Sequence, residues 1–88
     1  MKKILVVCGN GLGSSFIMEL NVKKALDQMG AEAEVSHTDI ATARTEPADI
    51  YVGAKDIIGT LDDGTREIVA LENVMDIEGI KAQLEGKL

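Results

Sequence analysis

Apolar positions along the chain fall alternately into short runs and helical stripes. Positions 3–8, "KILVVC", are continuously apolar apart from the leading lysine and end in glycines, the pattern of a strand covered on both faces in a parallel sheet. Beyond the glycines, Met18, Val22, Ala25 and Met29 recur at helical spacing with Leu26 beside them, which predicts a helix over about 15–29 closed by Gly30. In "AEAEVSH", Ala31, Ala33 and Val35 alternate with Glu32, Glu34 and Ser36, as in a strand wet on one face at a sheet edge. A short helix is expected over 40–45, ahead of the single Pro47.

"DIYVGA" reads as a third strand, "KDIIGTL" as a short helix, "DDGT" as a turn containing Asp62 and Asp63, and "REIVALEN" as a fourth strand. A final helix carries Ile77, Ile80, Leu84 and Leu88 on one side, with Asp76 and Glu78 in its first turn and Lys87 near its end. Four alternations of strand and helix predict a small doubly wound α/β domain. Its expected form is an open sheet of four parallel strands in the order 2-1-3-4, with helices on both faces. Ligands of such sheets bind beyond the carboxyl ends of the strands where strand order reverses, beside the first strand. Cys8 ends that strand.

Length and composition narrow the function. With 88 residues the chain is expected to be one domain, 1–88, too short for a dinucleotide-binding fold with a substrate domain. Hydrophobic residues make up 45% of it, yet there is no Trp, one Tyr and one Phe, so the core is aliphatic and stacking on bases is almost unavailable. The net charge of -6 arises wholly after position 44: five basic and five acidic residues precede that boundary, four and ten follow it. Without a cluster of Lys and Arg, nucleic acid and anionic membrane surfaces are poor partners. "ILVVC" is too short for a signal segment or a membrane span, so a cytoplasmic protein without direct membrane insertion is expected. The lone cysteine cannot form an internal disulfide and is either inert packing or a nucleophile.

Its setting favours the nucleophile. A thiol at a helix N-terminus is stabilised as thiolate, and positions 9–15 lead straight into the first helix. Gly9, Gly11 and Gly13 permit a close backbone approach, so that successive N–H groups, including those of Asn10 and Leu12, can converge on an anion. Ser14 and Ser15 add hydroxyl donors or cap the helix. Together they offer an activated sulfur facing a site for a tetrahedral oxyanion, which phosphoryl transfer to sulfur requires. The dinucleotide fingerprint fails because Ser14 stands where its third glycine would be, and the nucleotide P-loop fails for want of its lysine. Cysteine phosphatases place an arginine six residues after the cysteine, where this chain has Ser14, and no Lys or Arg lies between positions 4 and 22. A phosphatase must promote attack by water on its phosphocysteine, whereas a carrier must hold the group unhydrolysed; a neutral backbone cradle suits the carrier.

The stretch "ILVVCGNGLGSSFIMELNVKKAL" resembles the IIB components of the bacterial phosphoenolpyruvate-dependent sugar phosphotransferase system, of the ascorbate and galactitol type. The form "CGNGLGSS" is closest to the ascorbate branch. The resemblance implies a relay in which a phosphohistidine of a IIA partner loads Cys8, and the phosphocysteine passes the group to a sugar or polyol bound by the membrane-embedded IIC component. It assigns Cys8 as catalytic nucleophile and Gly9, Asn10, Gly11, Leu12, Gly13, Ser14 and Ser15 as the phosphate cradle. No metal or other cofactor is implied. The protein would be a phosphotransferase, peripheral to the membrane through IIC.

Two rival classes share the same loop: a phosphatase-like cysteine hydrolase and a non-catalytic regulatory module that binds an anion. Elsewhere, His37 falls at the carboxyl end of the second strand in phase with Ala33 and Val35, able to approach the thiol but expected as a partly exposed histidine. Lys55, after the third strand, is expected as a solvated lysine. Leu12 and Phe16 flank the loop and either dock a partner or pack in the core.

Overall fold

The structure, a computed structural model, describes residues 2–8, 14–61, 64, 66–72 and 75–87. Strand β1 (Lys2–Cys8) leads to helix α1 (Ser14–Met29), strand β2 (Ala33–Asp39) and the short helix α2 (Ile40–Ala43). Strand β3 (Ile50–Ala54) follows, then α3 (Lys55–Ile58) with a 3-10 turn at Gly59–Leu61, strand β4 (Ile68–Leu71) and helix α4 (Ile77–Leu84). The sheet is parallel throughout and ordered β2-β1-β3-β4, as expected.

The continuous apolar run of β1 is explained by its place in the middle of the sheet. Ile4 and Val6 face a core shared with Met18, Val22, Ala25 and Leu26 of α1 and with Ile80 and Leu84 of α4. Leu5 and Val7 face the opposite core, with Ala43, Tyr51, Ile58 and Leu61. All four β1 side chains are fully buried. Full burial of such a side chain is worth about 1.5–3 kcal/mol relative to exposure, so this strand anchors both layers.

Local chemistry fixes the ends of the elements. α1 closes in a Schellman motif: Gly30 has φ +69, its N–H reaches the Asp27 carbonyl at 3.1 Å, and the Ala31 N–H reaches the Leu26 carbonyl at 3.0 Å. That second bond uses the Ala31 donor, so β2 begins at Ala33 and not at Ala31 as the alternation suggests. The strand then runs on to Asp39, which caps α2 by accepting the Thr42 backbone N–H at 2.7 Å. Asp76 is likewise the cap of α4 and not part of its first turn, accepting from the Gly79 N–H at 3.1 Å. Asp62, Asp63 and Leu88 lie outside the described residues.

Polar bonds tie the amino edge of the sheet. The Lys3 N–H donates to the Asp49 carboxylate at 2.7 Å, while the Asp49 N–H returns to the Lys3 carbonyl at 2.9 Å. The Arg66 guanidinium donates to the carbonyls of Leu61 at 3.1 Å and Arg44 at 2.9 Å, and lies 5.6 Å from the Tyr51 ring centroid. The Tyr51 hydroxyl donates to the Glu46 carbonyl at 2.6 Å.

Two glycines test this packing. A Cβ on Gly53 would stand 2.8 Å from the Val7 carbonyl oxygen and 3.1 Å from the Ile58 Cβ, whereas one on Gly59 would meet nothing within 4 Å. Gly53→Ala is expected to destabilise the fold by about 1–3 kcal/mol through overpacking. Gly59→Ala, at φ -57, is expected to stabilise it by about 0.4–1 kcal/mol through the unfolded chain. Urea midpoints of the two variants should move in opposite directions; a shared direction would contradict this account of the β1–β3 contact.

Candidate functional site

β1 has β2 on one side and β3 on the other, so chain order reverses at β1 and the carboxyl end of the sheet opens there. Cys8 is the last residue of β1, and α1 begins at Ser14. A five-residue connection therefore joins the central strand to the longest helix. Gly9, Asn10, Gly11, Leu12 and Gly13 lie outside the described residues, as do the side chains of Cys8, Ser14 and Ser15.

Register defines what surrounds position 8. Cys8 pairs with Asp39 of β2, and Val7 pairs with Gly53 of β3, which places Ala54 and Lys55 at the same edge. The Asp39 carboxyl is held below its ordinary 3.8, chiefly by the Thr42 backbone N–H and then by the Thr42 side chain, with slight opposition from desolvation. It is an anion at neutral pH. Lys55 is 68% exposed at its side chain, as expected of a solvated lysine, and stands 3.5 Å from the Glu72 carboxylate. Beyond it, a cleft of about 420 Å³ lies between the ends of β3 and β4 and the start of α4, lined by Leu71, Glu72, Asp76 and Gln83.

The first two turns of α1 carry apolar side chains outward. Phe16 is 55% exposed, and Ile17 and Leu20 are also exposed, so Phe16 is a surface residue and not part of the core. Met75 is exposed too, with its sulfur 3.6 Å from the Asn21 amide nitrogen. Among the described residues, no three His, Cys, Asp or Glu side chains converge as metal ligands would, and no helix is long and apolar enough to cross a membrane.

His37 is half-exposed, as the sequence suggests, but it has a partner that sequence reasoning missed. Its Nδ1 lies 3.1 Å from Oε2 of Glu19, a carboxylate on α1 that is only 8% exposed as a residue. Lys23 Nζ is 4.0 Å from the other carboxylate oxygen. A signal was present: Glu19 stands three residues before Val22 and seven before Leu26, inside the apolar stripe. Asn21, three after Met18 and four before Ala25, is buried for the same reason.

The family model for "PTS system, Lactose/Cellobiose specific IIB subunit" matches residues 3–86. The chain is also 33% identical over 76 residues to proteins named "Ascorbate-specific PTS system EIIB component" from Salmonella choleraesuis (strain SC-B67), Escherichia coli O157:H7 and Shigella flexneri. In each case the match covers 83% of this chain and 75% of the relative.

The capped carboxylate beside position 8 gives the domain an acid-sensitive element. A group titrating below its unfolded value stabilises the fold above that value and loses its contribution as pH falls through the folded one. Asp39→Asn keeps a capping oxygen and removes the titration. The variant's stability, followed by urea midpoints, should decline less steeply than the wild type's as pH falls below 3.8; parallel acid limbs would contradict the assigned hydrogen bonds.

Proposed function

The chain belongs to the IIB subunit family of the sugar phosphotransferase system, and from that membership we propose that Cys8 is the residue on which it carries the phosphoryl group. The family activity is phosphoryl relay in sugar uptake, between a IIA donor and a membrane IIC component. What supports Cys8 as the carrier is its position: it is the chain's one cysteine, at the end of the central strand, five residues before a sixteen-residue helix. Residues 9–15 form the phosphate cradle in this reading.

The transfer is two displacements at phosphorus. The Cys8 thiolate attacks the phosphoryl group of the donor phosphohistidine, whose ring is protonated on its other nitrogen; the S–P bond forms, the P–N bond breaks, and the donor leaves as neutral imidazole. A hydroxyl of the substrate on IIC then attacks the phosphocysteine, the S–P bond breaks, and the hydroxyl proton passes to a base on IIC. Between these steps the cradle must hold three equatorial oxygens and admit no water. Backbone N–H donors do this without a cation that would also stabilise attack by water. The acceptor is of the ascorbate type, a reading favoured by the names of the relatives over the lactose and cellobiose of the family description.

Intact-mass spectrometry tests the carrier. Incubated with phosphoenolpyruvate, the general phosphotransferase proteins and an ascorbate-type IIA, the wild type should gain one phosphoryl mass and Cys8→Ser none. A stable gain on Cys8→Ser, or none on the wild type while its thiol alkylates readily, would overturn the assignment. Membranes bearing an ascorbate-type IIC should then discharge the loaded protein when ascorbate is added and leave it loaded with lactose or cellobiose.

A further inference from the structure

The Glu19–His37 pair is more than the relay described above requires. A carboxylate taken out of water is costly unless it is paired, and the chain places one in the apolar stripe of α1, where His37 and Lys23 meet it. An ionised carboxylate only accepts, so the His37 Nδ1–H donates to Glu19 and the second ring nitrogen, Nε2, points away from that contact. The His37 side chain is 47% exposed, and among the described residues Nε2 has no partner.

Register brings the backbone of His37 near position 8. His37 pairs with Val6, and Asp39 pairs with Cys8, so position 8 is the diagonal neighbour of His37 on the adjacent strand. With parallel strands about 4.8 Å apart and a rise of about 3.3 Å per residue, positions offset by two residues stand roughly 8 Å apart, a gap that a histidine ring and a phosphoryl group can span together. The charged groups around the imidazole are Glu19 and Lys23 from α1 and Asp39 from β2 itself; β1 contributes none between positions 4 and 8. Lys23 lies a further turn along α1 and is drawn to Glu19. Asp39 adds negative charge beside Cys8. On the β2 side of position 8, His37 is the group able to supply a positive one.

We propose that His37, oriented by Glu19, donates its Nε2–H to the phosphoryl group carried on Cys8, so that His37 in its doubly protonated form favours the loaded carrier. The inference rests on the assignment of Cys8 as carrier. The one change is a proton transfer: solvent supplies a proton that bonds to Nε2, the Nδ1–H of His37 stays hydrogen-bonded to Glu19, and the imidazolium faces the phosphoryl dianion. His37 thereby contacts the transferred group, while Glu19 is a positioning residue.

The chain contains a single histidine, so imidazole signals of the 15N-labelled protein loaded by unlabelled donors belong to His37. At pH 7, loading verified by intact mass should move the Nε2 signal toward the imidazolium position. Phosphate itself gains a proton near pH ~6, so the functional readout is a comparison of proteins at two pH values. His37→Gln should lower the loaded fraction, as an equilibrium ratio with IIA, about tenfold at pH 6 and leave it near wild type at pH 8. Glu19→Gln should change it in the same sense. Coincident His37 spectra in loaded and unloaded protein, or equal losses at both pH values as from a weakened α1–β2 contact, would overturn the proposal. Absence of any mass gain on Cys8 would remove the carrier assignment and this inference together, whereas loading with an unmoved His37 removes the inference alone.

Discussion

Burial of β1 on both faces is the constraint from which the rest of the molecule follows. A strand with Ile4, Leu5, Val6 and Val7 in sequence cannot rest at an edge or face water, so helices must cover it on both sides and other strands must flank it. Parallel pairing then demands crossovers, and right-handed crossovers deliver α1 to one face and α2 and α3 to the other, while α4, after the last strand, packs on the α1 face. The run ends at Cys8, where the chain leaves the middle of the sheet. A residue there is held by the most firmly packed strand while standing at the mouth of the domain.

For the proposed carrier role, that position meets two demands. In-line transfer needs a fixed attachment point, yet two different proteins must reach it in turn. The backbone of position 8 belongs to the central strand, and it ends at the carboxyl edge of the sheet. The edge also carries outward apolar side chains on α1, Phe16, Ile17 and Leu20, immediately after the loop. Electrostatics are arranged with restraint: Asp39 is anionic, Lys55 shares its charge with Glu72, and the nearest imidazole is tied to a buried carboxylate.

The architecture was legible in the sequence because its signals are long and redundant. The unbroken apolar run of β1 implied a central parallel strand, and the 18, 22, 25, 26, 29 stripe implied α1 and its covering role. Boundaries were legible only where one residue type has one use, as Gly30 does at its positive φ. They slipped where a backbone donor had two possible partners, as at Ala31, or where an aspartate could cap as readily as enter a helix, as at Asp76. Of the candidate site, the cysteine and glycines stand out in the sequence through residue type and spacing. The Glu19–His37 pair does not, because it joins residues eighteen apart across α1 and β2. A polar residue in an apolar stripe announces that it needs a partner and not which one.

The two ends of the sheet are built differently. At the amino edge, Lys3, Asp49, Glu46, Tyr51, Arg44, Leu61 and Arg66 are knotted together by hydrogen bonds that each specify geometry. At the carboxyl edge lie strand ends, helix starts and the connection that follows Cys8. Variation that retunes recognition can therefore accumulate at one pole while the other preserves the scaffold. A relay domain so divided can change the company it keeps without learning to fold again.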